Sequence, residues 1–86
     1  MEKAKRFCAV LSALMEGKTL KKRNGQLYYI KWQYGVPIIY AFMRKSDNGS
    51  ILSYTVSSSL DELYPFLSEE NSVIIDSSIE DIVKDE

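Results

Sequence analysis

Eighty-six residues, 45% of them hydrophobic and 12% aromatic, are enough for one folded domain with a thin margin of core. With no histidine and a single cysteine, Cys8, the chain has no internal disulfide, no Cys/His zinc site and no imidazole acid–base chemistry. The net charge of −1 hides an asymmetry: residues 1–45 carry ten Lys or Arg against two Glu, net +8, and residues 46–86 carry one Lys against ten Asp or Glu, net −9. The acidic half is therefore expected to fold back on the basic half or to meet it between subunits, unless the basic half holds an anionic ligand.

Polar and small residues interrupt the run from Phe7 to Met15, so a secretory signal is not expected. No stretch approaches the length of a membrane span, which together with the lone thiol points to the cytoplasm. Lys3 to Glu16 reads as an amphipathic helix with Phe7, Val10, Leu11 and Leu14 at i, i+3, i+4 and i+7, the stripe widened by Cys8 and Met15. Gly17 ends it as the C′ residue, which enters the left-handed region without a Cβ penalty.

Residues 18–56 read as an antiparallel meander: Thr19 to Arg23, Gln26 to Tyr34, Pro37 to Lys45 and Ser50 to Val56. Reversals are expected at Asn24-Gly25, at Tyr34 to Pro37 and at Ser46 to Ser50. A two-residue type I′ turn at Asn24-Gly25 would oppose Lys21 to Tyr28 and Leu20 to Tyr29. Both faces of this sheet carry apolar side chains, so both need cover. Residues 57–86 supply a short helix opened by Ser59 and Glu62 and limited by Pro65. A possible fifth strand follows at Val73-Ile74-Ile75, then a second helix opened by Ser77 and Glu80, and an acidic tail. The fold class is thus α+β, one domain over 1–86, with an N-terminal helix (1–17) on a four- to five-stranded antiparallel sheet and short C-terminal helices.

Lys18, Lys21, Lys22 and Arg23 precede a tyrosine-rich strand. Lysines protecting an edge strand explain them, and so does an anion site. In the type I′ register Lys21 and Arg23 share a face with Tyr28 and Trp32, where a base can stack while the cations hold phosphate. Tyr40 and Arg44, which share a face of the third strand, complete the candidate ligand-binding set. The aromatics are equally accounted for as core or interface, and the acidic second half argues against a long nucleic-acid track. Cys8 falls on the apolar stripe, where a thiol is inert. The adjacent carboxylates Asp61-Glu62 and Glu80-Asp81 are accounted for by helix N-termini. The chain is therefore expected to be non-enzymatic, with no catalytic residues, cofactor or metal.

The order of helix, Leu-Met-Glu-Gly-Lys-Thr-Leu-Lys-Lys-Arg, aromatic strand, hairpin and Tyr-Thr-Val-Ser-Ser-Ser-Leu-Asp-Glu-Leu resembles a group of small phage proteins that includes the Thoeris anti-defence 2 family. The likeness covers residues 7 to 64, and Gly17-Lys18, Arg23 and Ser59 to Leu63 match best. Asn24-Gly25 replaces the family's Trp after the basic pair, and Tyr64-Pro65-Phe66 replaces its Asp-Trp ending. The resemblance implies a homo-oligomer in the cytoplasm of an infected bacterial host that sequesters a small anionic nucleotide immune signal. The alternative is a protein–protein inhibitor of a host defence enzyme, anti-CRISPR-like, acting through the acidic C-terminal half.

Overall fold

The computed structural model describes residues 2–43, 53–56 and 59–84. Three helices, α1 (Lys3–Met15), α2 (Leu60–Leu67) and α3 (Ile79–Lys84), accompany five strands: β1 (Thr19–Lys21), β2 (Leu27–Gln33), β3 (Val36–Phe42), β4 (Ser53–Thr55) and β5 (Val73–Ile75). The strands form one antiparallel sheet in the order β4-β3-β2-β1-β5, a meander to which the fifth strand is added beside β1. This is the α+β architecture expected from the sequence. The expected reversal at Ser46 to Ser50, the strand ends on either side of it, and Arg44 lie outside the described residues.

α1 stops where the glycine places it. Gly17 has φ +96°, Lys18 N–H donates to the Ala13 carbonyl at 3.1 Å, and Gly17 N–H donates to Leu14 at 3.0 Å. That pair of bonds satisfies two of the last carbonyls in a Schellman motif. The helix buries Val10, Ala13 and Leu14, whereas Cys8 and Met15 are exposed. The stripe is therefore rotated from the one expected, away from Cys8 and towards Ala13. The cause lies at Arg6, one turn before Val10, whose guanidinium donates to the carbonyls of Glu69 (3.0 Å) and Ser72 and draws that side of the helix onto the turn after α2.

The first hairpin also differs from expectation, and the consequence is large. Leu20 pairs with Tyr28 and Lys21 with Leu27, one residue off the register of a type I′ turn at Asn24-Gly25. The loop has three residues instead: Gly25 N–H donates to Lys22 (2.9 Å), Lys22 N–H to Gln26 (2.9 Å), Gly25 has φ +87°, and the Asn24 side chain accepts from Gln26 N–H. This is a type I turn closed by a left-handed glycine, the other hairpin loop that Asn-Gly serves. A one-residue slip exchanges the faces of a strand. Leu20 and Lys22 thereby join Tyr28 on one face, and Lys21 joins Leu27 and Tyr29 on the other. The two-residue left-handed turn sits in the second hairpin, where Gln33 pairs with Val36 and both Tyr34 (φ 51°) and Gly35 (φ 77°) have positive φ.

One sheet face, with Leu20, Tyr28, Ile30, Ile39 and Ile74, packs under α1 and α2 around fully buried Leu14, Leu20 and Leu67. Burying each of those leucines stabilises the fold by about 1.5–3 kcal/mol. The opposite face carries Tyr29, Ile38, Tyr40 and Thr19, and α3 covers part of it through buried Ile79. Thr19 Oγ1 donates to the Ser77 carbonyl at 2.8 Å. α3 accordingly starts one residue later than expected, with Asp81 N–H donating to Ser78 Oγ at 3.2 Å. α2 runs through Pro65 to Leu67 where a stop was expected, because Asp61, whose carbonyl the proline leaves without a donor, is on the exposed side.

Candidate functional site

The basic and acidic halves do fold together. Lys22, only 7% exposed, places its ammonium 3.2 Å from Glu69 Oε2, against the Phe66 carbonyl and 4.1 Å from the centre of the Phe66 ring. Tyr28 meets the same ring edge-on at 4.8 Å. With Arg6 on the Glu69 and Ser72 carbonyls, two cations close the C-terminal end of α2, where carbonyl dipoles favour positive charge. Lys18 pairs with Glu16 and Asp76, both at 3.4 Å, on the surface. Its hydrogen bond to Glu16, then the Asp76 charge, hold its pKa above the ordinary 10.5. Burial, aided by Tyr54 and Glu69, raises the Tyr28 hydroxyl above 10.0.

The six residues expected to bind a ligand are divided among separate places. Tyr28 is half-buried on the α1 side, and exposed Arg23, in the first turn, joins it in lining a pocket of ≈ 290 Å³ that also contains Lys22 and Glu69. Trp32 lies on the same face and is exposed. Lys21 and Tyr40 lie on the other face, so Lys21 does not join Tyr28 and Trp32 as the type I′ register required, and Arg23 meets Tyr28 alone. Arg44 lies outside the described residues.

Two surfaces take shape instead. The larger begins where α1 ends. β2 and β3 continue past it as a hairpin, with Trp32 53% exposed, Val36 54% and the Tyr34 ring fully so at the tip, beside Met15 at 41%. Between this hairpin and the helices runs an apolar groove of ≈ 840 Å³, walled by Leu11 and Met15 of α1, Ile30 and Ile39 of the sheet, Val56, and Leu63 of α2. Exposed apolar area of this kind, contiguous and almost free of charge, is more than a scatter of single surface side chains. Tyr34 strengthens the point. A bulky side chain in the left-handed region costs about 1–2 kcal/mol, and a residue held there is a pointer to function.

The smaller surface is a cleft of ≈ 260 Å³ on the α3 side, lined by Tyr29, Lys31, Gln33, Tyr40, Ser53 and Glu80. Tyr29 and Tyr40 stack at 5.8 Å, and the Tyr29 hydroxyl bonds Ser53 Oγ. Sequence reasoning missed Tyr29, Lys31 and Gln33 because the type I′ register placed Lys21 and Arg23 on the opposite face, with Tyr28 and Trp32. It missed Met15 and Val36 because where the helical cover stops is not a local property.

Among the described residues no cluster of three or more Cys, Asp or Glu is placed to hold a metal, and no helix is long and apolar enough to cross a membrane. Compared with protein-family models, curated proteins and solved structures, the chain has no match.

Proposed function

We propose that this chain is a non-enzymatic interaction module that works by seating its β2–β3 hairpin and apolar groove on another polypeptide. The observation that carries this reading is Tyr34, which stands fully exposed in a left-handed turn beside Trp32, Val36 and the groove. Among the described residues the fully exposed Tyr34 ring has no packing role. Asparagine or glycine would close the same turn with less strain. The implied mode of action is occlusion: an aromatic anchor and a greasy wall cover a surface that the bound protein needs.

The test replaces Tyr34 with the photoreactive analogue benzoylphenylalanine in producing cells. Irradiation is expected to give a discrete covalent protein adduct that the same analogue at exposed Glu70, away from the hairpin, does not give. If position 34 yields no more adduct than position 70, the reading is wrong.

A second reading, sequestration of a small anionic nucleotide as the phage resemblance implies, is favoured by one specific observation. The actual register gathers Lys21, Tyr29, Lys31 and Tyr40 on a single face, and the last three line a cleft there. On that reading native mass spectrometry of protein from signalling cells shows a nucleotide-mass adduct that Lys31→Ala diminishes. An unliganded protein in such cells removes this reading and leaves the first.

A further inference from the structure

We propose that Asn24 is a site of spontaneous covalent modification, converting to aspartate and isoaspartate at a rate controlled by the opening of the first hairpin. The site lies in the β1–β2 loop and is independent of what the β2–β3 hairpin meets.

The chemistry needs only water. The Gly25 backbone nitrogen, once it has lost its proton, attacks Asn24 Cγ. The new N–Cγ bond closes a five-membered succinimide, and Nδ2 takes up a proton and leaves as ammonia. Water then opens the ring. Breaking the bond from nitrogen to Cγ gives aspartate, whereas breaking the bond from nitrogen to the main-chain carbonyl carbon gives isoaspartate, whose backbone runs through Cβ and Cγ. The residues suit this reaction. Glycine has no Cβ to shield its nitrogen, a Cβ built at Gly25 would meet nothing within 4 Å, and Asn24 and Gly25 are both exposed, so water and base reach them.

The folded loop opposes the reaction in two ways. Gly25 N–H donates to the Lys22 carbonyl at 2.9 Å, which holds the proton that has to leave. The type I turn also sets ψ of Asn24 to about 0°, and the ring needs the Gly25 nitrogen eclipsed with Asn24 Cβ, roughly a third of a rotation away. That rotation breaks the bond to Lys22. Conversion therefore proceeds from the opened loop, as exchange of a protected amide does.

The two products have different fates. Aspartate keeps a side-chain oxygen for Gln26 N–H, which Asn24 Oδ1 accepts at 2.9 Å, and adds its charge next to Arg23. Isoaspartate lengthens the three-residue loop by one backbone atom. The register closed by this loop places Leu20 in the core and Lys22 on Glu69, so isoaspartate acts on the packing of the whole sheet.

The experiment incubates the full chain in mildly alkaline buffer, folded and in urea. The tryptic peptide Asn24–Lys31, in which Asn24 is the sole asparagine, is followed for a gain of about 1 Da. Isoaspartate is counted by methyl transfer from an isoaspartyl methyltransferase. In urea Asn48-Gly49, the other such pair in the chain, calibrates the unfolded rate. Conversion of Asn24 is expected to be about tenfold or more slower in the folded chain, a slowing at least as large as the protection of Gly25 N–H against hydrogen exchange. Asn24→Asp, which reproduces one product, is expected to melt within about 2 °C of the parent, and the isolated isoaspartate form about 4 °C or more below it. No conversion in urea overturns the site. Equal rates in folded and unfolded chains, or a slowing smaller than the Gly25 protection, overturn the control by loop opening. An isoaspartate form that melts with the parent overturns the loss of register.

Discussion

The root and the tip of the β2–β3 hairpin have nearly the same composition and opposite fates. At the root Tyr28 and Ile30 of β2 face Ala41 and Ile39 of β3 across the ladder, with α1 above them. Four residues on, Trp32 and Pro37 occupy the same face in the same alternation and are exposed. The difference is the reach of α1, which at 13 residues and 1.5 Å per residue spans about 20 Å and stops at Gly17. Hydrophobic patterning specifies which face is apolar, and the length of the covering element specifies how much of that face becomes core. What lies beyond the cover is available for binding.

The comparison breaks most visibly at the root. Leu20→Ala removes a fully buried side chain beneath α1 and is expected to cost about 2–5 kcal/mol, seen as a lower urea midpoint or outright failure to fold. Trp32→Ala at the tip should leave that midpoint within about 0.5 kcal/mol, because the ring is half exposed and touches little. Equal losses at the two positions would mean that the tip is core after all. Next comes Lys22→Ala, which leaves Glu69 and the Phe66 carbonyl without their cation. With Glu69 about half exposed, roughly 1–3 kcal/mol is expected. Because α2 forms one wall of the groove, this variant should also weaken whatever the hairpin docks on, whereas Lys21→Ala on the other face should not.

The smallest effect is in alkali. Lys18 and Tyr28 both have folded-state pKa values above their ordinary ones. The folded state therefore holds protons that the unfolded chain releases, and stability that is complete at neutral pH falls as pH rises beyond about 10. A melting temperature flat from about pH 6 to 9 and declining above 10 is expected, with Tyr28→Phe and Lys18→Met each flattening the decline. An undiminished decline in both variants would assign it to other groups.

The fold was legible in sequence wherever a local signal decides the outcome. The stripe through Val10 and Leu14 and the stop at Gly17 show α1, and the β-branched run from Val73 to Ile75 shows the added strand. The register of the first hairpin was not legible, because Asn24-Gly25 closes a two-residue or a three-residue loop equally well. The choice is made far away, by Leu20 entering the core and by Lys22 reaching Glu69, 47 residues on. The candidate site inherited that ambiguity. The slip moved Lys21 to the Tyr40 face and Lys22 into the fold. Tyr34 was visible as an aromatic, but its left-handed backbone appears only once Gln33 and Val36 are seen to pair.

Pro37 has one more consequence. A sheet with exposed tryptophan, tyrosine and valine invites templated growth, in which neighbouring chains add strand to strand until a fibre forms. By presenting a ring nitrogen instead of a donor where the next strand would bind, this chain keeps its stickiness confined to side chains. Pro37→Thr restores a donor at this position and is expected to be the single change that turns its solutions turbid with thioflavin-positive material.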